Sequence, residues 1–391
     1  MDLIDELGLK VVDCDTHVVE HYDLWTSRVP SKYGDKIPHV ERDANGIEWW
    51  MSDGKVLSPA AGLAIAGWKE PPPKFPAQLD QVDPRIWQPE GRLEIMDAYG
   101  IHAEVLYPNV SGFGAGRYTD FGDMELALLL LQAYNDWLAD FRRVAPDRYV
   151  PVMAVPFWDI DLSIKEMQRC VELGHKGLIF SQAPEAFGAP ALNDPHWDKL
   201  WAAAQEMGLP VNFHIGSGDA TMQQMLHPSA GVHTNYATFP MTFFLDNART
   251  VATLISGGVC HRFPDLKFVS VESGVGWVPF ALQALDWMWK ECGVAKEHPE
   301  YELLPTEYFQ RQIYACFWFE HGPTLDATID YIGADNILYE TDFPHPTSMS
   351  PGPVSSALAP REFINTNLAH LPRDTVRKIL QDNATKLYHL G

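Results

Sequence analysis

Eight times in this chain a short apolar run rich in β-formers is followed by a stretch with helical periodicity, and that alternation restricts the fold more than any other feature. The strand-like runs are Leu9–Val12, His102–Tyr107, Tyr149–Val155, Gly177–Phe180, Leu209–Phe213, Leu266–Val271, Gln312–Phe317 and the run that starts at Ile337. Among the helical stretches, Met124–Arg143 is the clearest: Leu126, Leu130, Tyr134, Trp137, Leu138 and Phe141 recur at the spacing of one helix face. Eight strand-then-helix units predict a closed parallel α/β barrel, a fold whose chemistry sits at the carboxyl ends of the strands. A chain of 391 residues that is 46% hydrophobic can bury the core of one such barrel, so residues 1–391 read as a single domain. Residues 19–92 interrupt the alternation. They are rich in Pro, Trp and charge, regular periodicity is hard to find in them, and their aromatics predict a folded insertion covering the barrel mouth.

Charge and cysteine usage remove several function classes. With 52 acids against 29 Lys plus Arg the formal charge is -23, a field that repels phosphate backbones and anionic lipid, so neither nucleic acid nor membrane is an expected partner. The opening MDLIDELGLK carries acids where a secretory signal needs basic residues, and no run of about 18 apolar residues occurs, which predicts a cytoplasmic protein. Cys14, Cys170, Cys260, Cys292 and Cys316 are scattered without a C-x-x-C pair, so neither a disulfide framework nor a zinc ribbon is signalled. Gly112, Gly114 and Gly116 in SGFGAGRY lack the following helix that a dinucleotide loop requires. A small-molecule substrate remains, and a homo-oligomer is compatible with the sequence.

The strand ends carry the chemistry. The first run leads into Asp13-Cys14-Asp15-Thr16-His17, and residues two apart on extended chain share a face, so Asp15 and His17 can reach one ion. The fifth run ends in His214, the sixth in Glu272, and the eighth in Thr341-Asp342-Phe343-Pro344-His345. Taken alone, D-F-P-H describes a turn-capping Asp and a surface His. In a barrel, however, these ends converge on one axis, and acids and imidazoles at four of them form a metal-site pattern. His175 and His261 precede their strands and belong at the opposite end, whereas His227, His233 and His321 follow strands and can reach the mouth.

The blocks DCDTHVVE, YNDWLADF, DPHWDKLWAAAQEMGLPVNFHIGSG, RFPDLKFVSVESG, PTEYFQRQIYACFW, ADNILYETDFPH and ILQDNATKLY together resemble the amidohydrolase-related proteins that include aminocarboxymuconate-semialdehyde decarboxylase. The resemblance implies a distorted (β/α)8 TIM barrel, here with an insertion after strand 1, holding one divalent ion. Its ligands fall on Asp15, His17, His214 and Asp342. Mixed nitrogen and oxygen ligands suit zinc or manganese. Decarboxylases of this family usually place a His after strand six to assist proton transfer; this chain has Glu272 there, and no compensating His is evident close by in sequence.

Two acids near a divalent ion already neutralise it, and a third leaves the site negative, which disfavours a substrate carboxylate. On that ground the leading expectation is a mononuclear metal-dependent hydrolase of a small aromatic or apolar ester, lactone or amide, with Asp342 or Glu272 taking a proton from metal-activated water. The alternative is a non-oxidative decarboxylase of an aromatic or unsaturated acid, and a third reading is a metal-binding barrel without catalysis. Arg117, Trp318 and His345 are the candidate substrate contacts.

Overall fold

The computed structural model describes residues 2–218 and 227–391. Eleven strands occur among them: β1 Val11–His17, β2 His39–Arg42, β3 Glu48–Ser52, β4 Lys55–Pro59, β5 Ile101–Tyr107, β6 Tyr149–Met153, β7 Gly177–Ile179, β8 Val211–His214, β9 Phe268–Val271, β10 Ile313–Phe317 and β11 Ile337–Tyr339. Eight of them form one parallel sheet in the order β1-β5-β6-β7-β8-β9-β10-β11. Past the end of β11 the sheet meets β1 again: His17 N donates to Phe343 O at 2.7 Å and Asp342 N to Asp15 O at 3.0 Å. The protein is therefore a distorted (β/α)8 TIM barrel, with an insertion between its first and second barrel strands.

The barrel strands are buried on both faces because helices cover the outside and side chains fill the inside, and apart from β1, which carries Asp13, Asp15, Thr16 and His17, they are mainly apolar. The strand β5, for example, is buried at six of its seven positions. The helix Met124–Arg142 shows how the outer layer attaches. Asp123 caps it through the backbone N–H groups of Glu125 and Leu126, and Leu126, Leu130, Tyr134, Trp137, Leu138 and Phe141 turn into the core.

Within the insertion, β2, β3 and β4 form an antiparallel sheet that the sequence does not announce, because strands of four and five residues carry too few alternations to register as a period. The alternation is present in β3, where Glu48, Trp50 and Ser52 are buried and Trp49 and Met51 less so. Trp50 packs edge-on against Trp25 with ring centres 5.1 Å apart.

A buried ion pair ties the mouth of the barrel together. Arg92 Nε donates to Glu104 Oε2 at 2.6 Å, its Nη1 donates to His17 O at 2.6 Å, and its guanidinium lies 4.9 Å from the Phe343 ring centre. Arg92→Met leaves the Glu104 carboxylate without a counter-charge in a dry site, so urea denaturation should show a loss of about 3–5 kcal/mol.

Candidate metal centre

Asp15 and His17, two residues apart on β1, meet as an extended strand requires: Asp15 Oδ1 lies 3.4 Å from His17 Nε2. His214, the last residue of β8, reaches them from across the barrel, its Nε2 3.0 Å from His17 Nε2. Glu272, one residue beyond β9, brings Oε2 to 3.1 Å from His214 Nε2. Asp342, three residues beyond β11, brings Oδ1 to 3.6 Å from His17 Nε2. Both Glu272 and Asp342 hold positive φ, 60° and 58°. A side chain in that region costs about 1–2 kcal/mol, so the chain is bent against its preference at the two points that aim a carboxylate inward.

The imidazole tautomers decide what this cluster can hold. His17 Nδ1 faces Pro108 O at 2.9 Å, and His214 Nδ1 faces Ile215 O at 2.7 Å. A carbonyl only accepts, so both Nδ1 atoms carry the proton; burial holds His17 neutral, so its Nε2 presents a lone pair toward His214 Nε2 at 3.0 Å, while His214, against its burial, is raised by Asp15 and Glu272. Two ring nitrogens this close need positive charge between them, a proton on His214 or a cation that both can bind. Both carboxylate oxygens of Asp15 are buried beside them without a hydrogen-bond partner among the described residues. Burial, and then the neighbouring Glu272, Asp15 and Glu340 carboxylates, push Asp342 well above the usual carboxylate range. A divalent cation relieves that repulsion, so donor set and electrostatics both fit a metal ion.

His345 joins the same cluster. Asn109 Nδ2 donates to Val18 O at 2.8 Å, which leaves Asn109 Oδ1 to accept from His345 Nε2–H at 2.6 Å. His345 Nδ1 then keeps its lone pair, 2.9 Å from Asp342 Oδ1, and the ring stacks on His17 with centres 3.6 Å apart. The ligand-capable atoms of His17, Glu272, Asp342 and His345 all lie within 4.8 Å of one another. An imidazole beside Glu272 is thus present after all. It comes from the loop after β11, 73 positions downstream by the difference of residue numbers, so no local motif around Glu272 points to it.

A cavity of about 620 Å³ lies next to the cluster, whose own six residues are not among its described lining; Glu20, Asn109, Phe113, Arg117, Tyr236 and Pro346 are among its walls. Phe113 reaches from it to the His214 ring, centres 4.2 Å apart. The SGFGAGRY loop forms part of this wall, and Gly116 is required there: a Cβ on it would stand 2.2 Å from the Phe187 ring. Arg117 lines the cavity as the sequence suggests, whereas Trp318, buried at the end of β10, is not among the described lining residues. His175 is buried and directed at Asn135 O, 3.0 Å away, and His233 meets Pro72 O at 2.7 Å. Sequence reading passed over Asn109, Glu340 and Glu20. Glu340 Oε2 accepts the Glu272 backbone N–H at 3.0 Å and so helps hold the bend there.

Glu20 offers a pH test. Its Oε1 accepts from Asn109 N at 2.8 Å and Val110 N at 2.9 Å, yet burial pushes its carboxyl up from 4.5 to about 7. The folded protein therefore keeps a proton that the unfolded chain has released. This contribution is complete below about pH 4.5 and lost as pH rises through about 7. Glu20→Gln should flatten the fall in urea-unfolding free energy between pH 5 and 8 by up to about 3 kcal/mol.

The amidohydrolase family model matches residues 12–390, nearly the whole chain. The protein belongs to the amidohydrolase family. This amidohydrolase is 26% identical over 311 residues to a γ-resorcylate decarboxylase of a Polaromonas species, covering 77% of this chain and 87% of that one. It is 24% identical over 365 residues to the 2-amino-3-carboxymuconate-6-semialdehyde decarboxylase of Dictyostelium discoideum, covering 89% and 88%. Among solved structures, an amidohydrolase of Mycobacterium avium subsp. paratuberculosis superposes with a TM-score of 0.74 at 23% identity, covering 98% of this chain and 100% of that one. The 5-carboxyvanillate decarboxylase of Novosphingobium aromaticivorans, solved with manganese and a nitrobenzoic acid, superposes with a TM-score of 0.68 at 20% identity, covering 98% of both chains. The fold is that of the metal-dependent amidohydrolases, an enzyme superfamily. No helix among the described residues is long and apolar enough to cross a membrane.

Proposed function

We propose that this amidohydrolase is a metal-dependent, non-oxidative decarboxylase of an aromatic or unsaturated carboxylic acid. Asp15, His17, His214 and Asp342 would hold one divalent ion, manganese or zinc. The observation that carries the metal is the approach of two Nε2 atoms to 3.0 Å beside the buried, unpartnered Asp15 carboxylate. The relatives named as decarboxylases support the reaction, and so does His345, an imidazole beside Glu272 of the kind the charge argument from sequence lacked.

When bound, the ion supplies positive charge that orients a substrate carboxylate and stabilises negative charge developing on the ring. The protein's own groups do the rest. Phe113 gives the substrate ring an apolar wall, and Arg117 holds an anionic substituent in the cavity. Burial pushes the Glu272 carboxyl up, to about 8 before a cation's charge acts on it, although the nearby His214 pulls it down, which suits Glu272 to carrying a proton to the substrate. As the carboxylate leaves as carbon dioxide, the ring carbon takes that proton from Glu272, which regains one from water. His345, held neutral by burial and fixed by Asn109, accepts a proton from a substrate hydroxyl through Nδ1. Residues 19–92 act as the cover: Leu63, Pro73 and Phe75 from this insertion wall the cavity and exclude water.

Hydrolysis is the second reading, favoured by Glu272 as a carboxylate base in an acidic site. The protein loaded with manganese, and separately with zinc, should release carbon dioxide from one or more hydroxybenzoates, with 2,6-dihydroxybenzoate included in the panel. Cleavage of aryl esters or lactones without any carbon dioxide release would overturn the proposal in favour of hydrolysis.

A further inference from the structure

A second cavity, of about 350 Å³, backs onto the one next to the metal ligands, and the two share Val110, Arg117 and Asp120 in their walls. The small sheet of the insertion contributes to its wall: Lys55 lines it from the start of β4, Lys36 lines it from the segment before β2, and Ser52 Oγ donates to Lys36 O at 2.8 Å to fasten the two together. Trp25, Leu57 and Phe121 give it apolar sides.

The polar groups around this space are not consumed by the fold. The Arg117 side chain is solvent-accessible, and its guanidinium makes one long hydrogen bond, to Val110 O at 3.5 Å. Ser111 and Tyr118 are 6% and 1% exposed, both line the cavity, and their hydroxyls lie toward one another with no further hydrogen-bond partner among the described residues. Two buried hydroxyls that have only each other keep one O–H free, and a ligand oxygen can take it. Lys36, Lys55 and Arg117 set three positive charges against Asp53 and Asp120, a local excess of cation in a chain of net charge -23.

We propose that this second cavity is a tail subsite: it takes the far, anionic end of an elongated aryl acid whose reacting carboxylate lies at the metal ligands, with Arg117 facing both spaces. The inference rests on the decarboxylase reading for the head of the substrate, but not for the tail. A small hydroxybenzoate leaves the second cavity unused, whereas an aryl acid with a flexible arm ending in a carboxylate meets apolar walls along the arm and Lys36, Lys55, Arg117 and two hydroxyls at its end.

The test is calorimetric titration of the manganese-loaded full chain with 2-hydroxy-4-butoxybenzoate and with its chain-terminal acid, 2-hydroxy-4-(carboxypropoxy)benzoate. The dianion should bind about tenfold more tightly or better at low salt, as charge-assisted hydrogen bonds to a partly desolvated anion predict. The exposed-lysine double variant Lys36→Ala/Lys55→Ala should lose that difference while keeping its thermal melt. Equal affinity for the two probes in the unaltered protein, or a preference that survives in the double variant, overturns the subsite. Carbon dioxide measured in the same samples separates the two claims. Release from 2-hydroxy-4-butoxybenzoate without a dianion preference sinks the subsite and leaves the decarboxylase standing. A lysine-dependent preference without carbon dioxide release upholds the subsite and sinks the decarboxylase.

Discussion

His214→Ala should yield a folded barrel that no longer keeps its ion: metal content after dialysis should fall from about one per chain to near zero, and activity by about 10³-fold or more. The reason lies in the donor geometry. His214 Nδ1 is bound to Ile215 O, so its only contribution toward the cluster is the Nε2 lone pair facing His17 and Asp15. An open site with few ligands does not spare one, and the remaining carboxylates lose the cation that offsets their repulsion. Asp15→Ala, His17→Ala and Asp342→Ala should behave alike, because each removes one donor from the two overlapping donor groups that His17 and Glu272 join. Circular dichroism keeps the test clean, since an alanine at a strand end leaves the barrel's hydrogen bonds in place. A His214 variant with stoichiometric metal by elemental analysis and full turnover would remove the proposed ligand set.

Glu272→Gln is expected to keep the metal and to lower turnover by about 10²-fold or more, because the amide preserves shape but can neither hold nor return the proton. Its position favours this: the carboxyl is buried 3.1 Å from His214 Nε2, and Glu340 fixes the backbone N–H behind it. If Glu272 is a ligand, the same substitution costs metal, so elemental analysis separates the two roles. Glu272→His, which restores the imidazole that related decarboxylases usually carry after strand six, should retain carbon dioxide release better than Glu272→Gln. Near-normal turnover with normal metal in the Gln variant would make Glu272 a structural acid.

Much of this protein was legible in the sequence, because parallel strands buried on both faces are written as apolar runs and amphipathic helices as a 3.6-residue period. The helix Met124–Arg142 stands within one residue of where periodicity puts it, and the strand boundaries move by only a residue or two, apart from β1. That strand extends through Asp13-Cys14-Asp15-Thr16-His17 because the barrel interior tolerates acids and imidazoles that propensity would assign to a loop. The barrel rule also brought Asp15, His17, His214, Glu272 and Asp342 to one place from four separate strand ends.

What the sequence by itself determined was therefore the order of elements and the residue types at their ends. Tertiary structure alone decided the lone pairs and the neighbours. Carbonyls of Pro108 and Ile215 set the tautomers of His17 and His214, and Asn109 sets that of His345. These partners lie 91, 1 and 236 positions away in the chain. Ring closure also returned His345 to Glu272 and set the small sheet of the insertion against a second cavity behind Arg117. Contacts of this kind depend on how strands curve around an axis and on where hydrogen bonds end, and side-chain periodicity records neither.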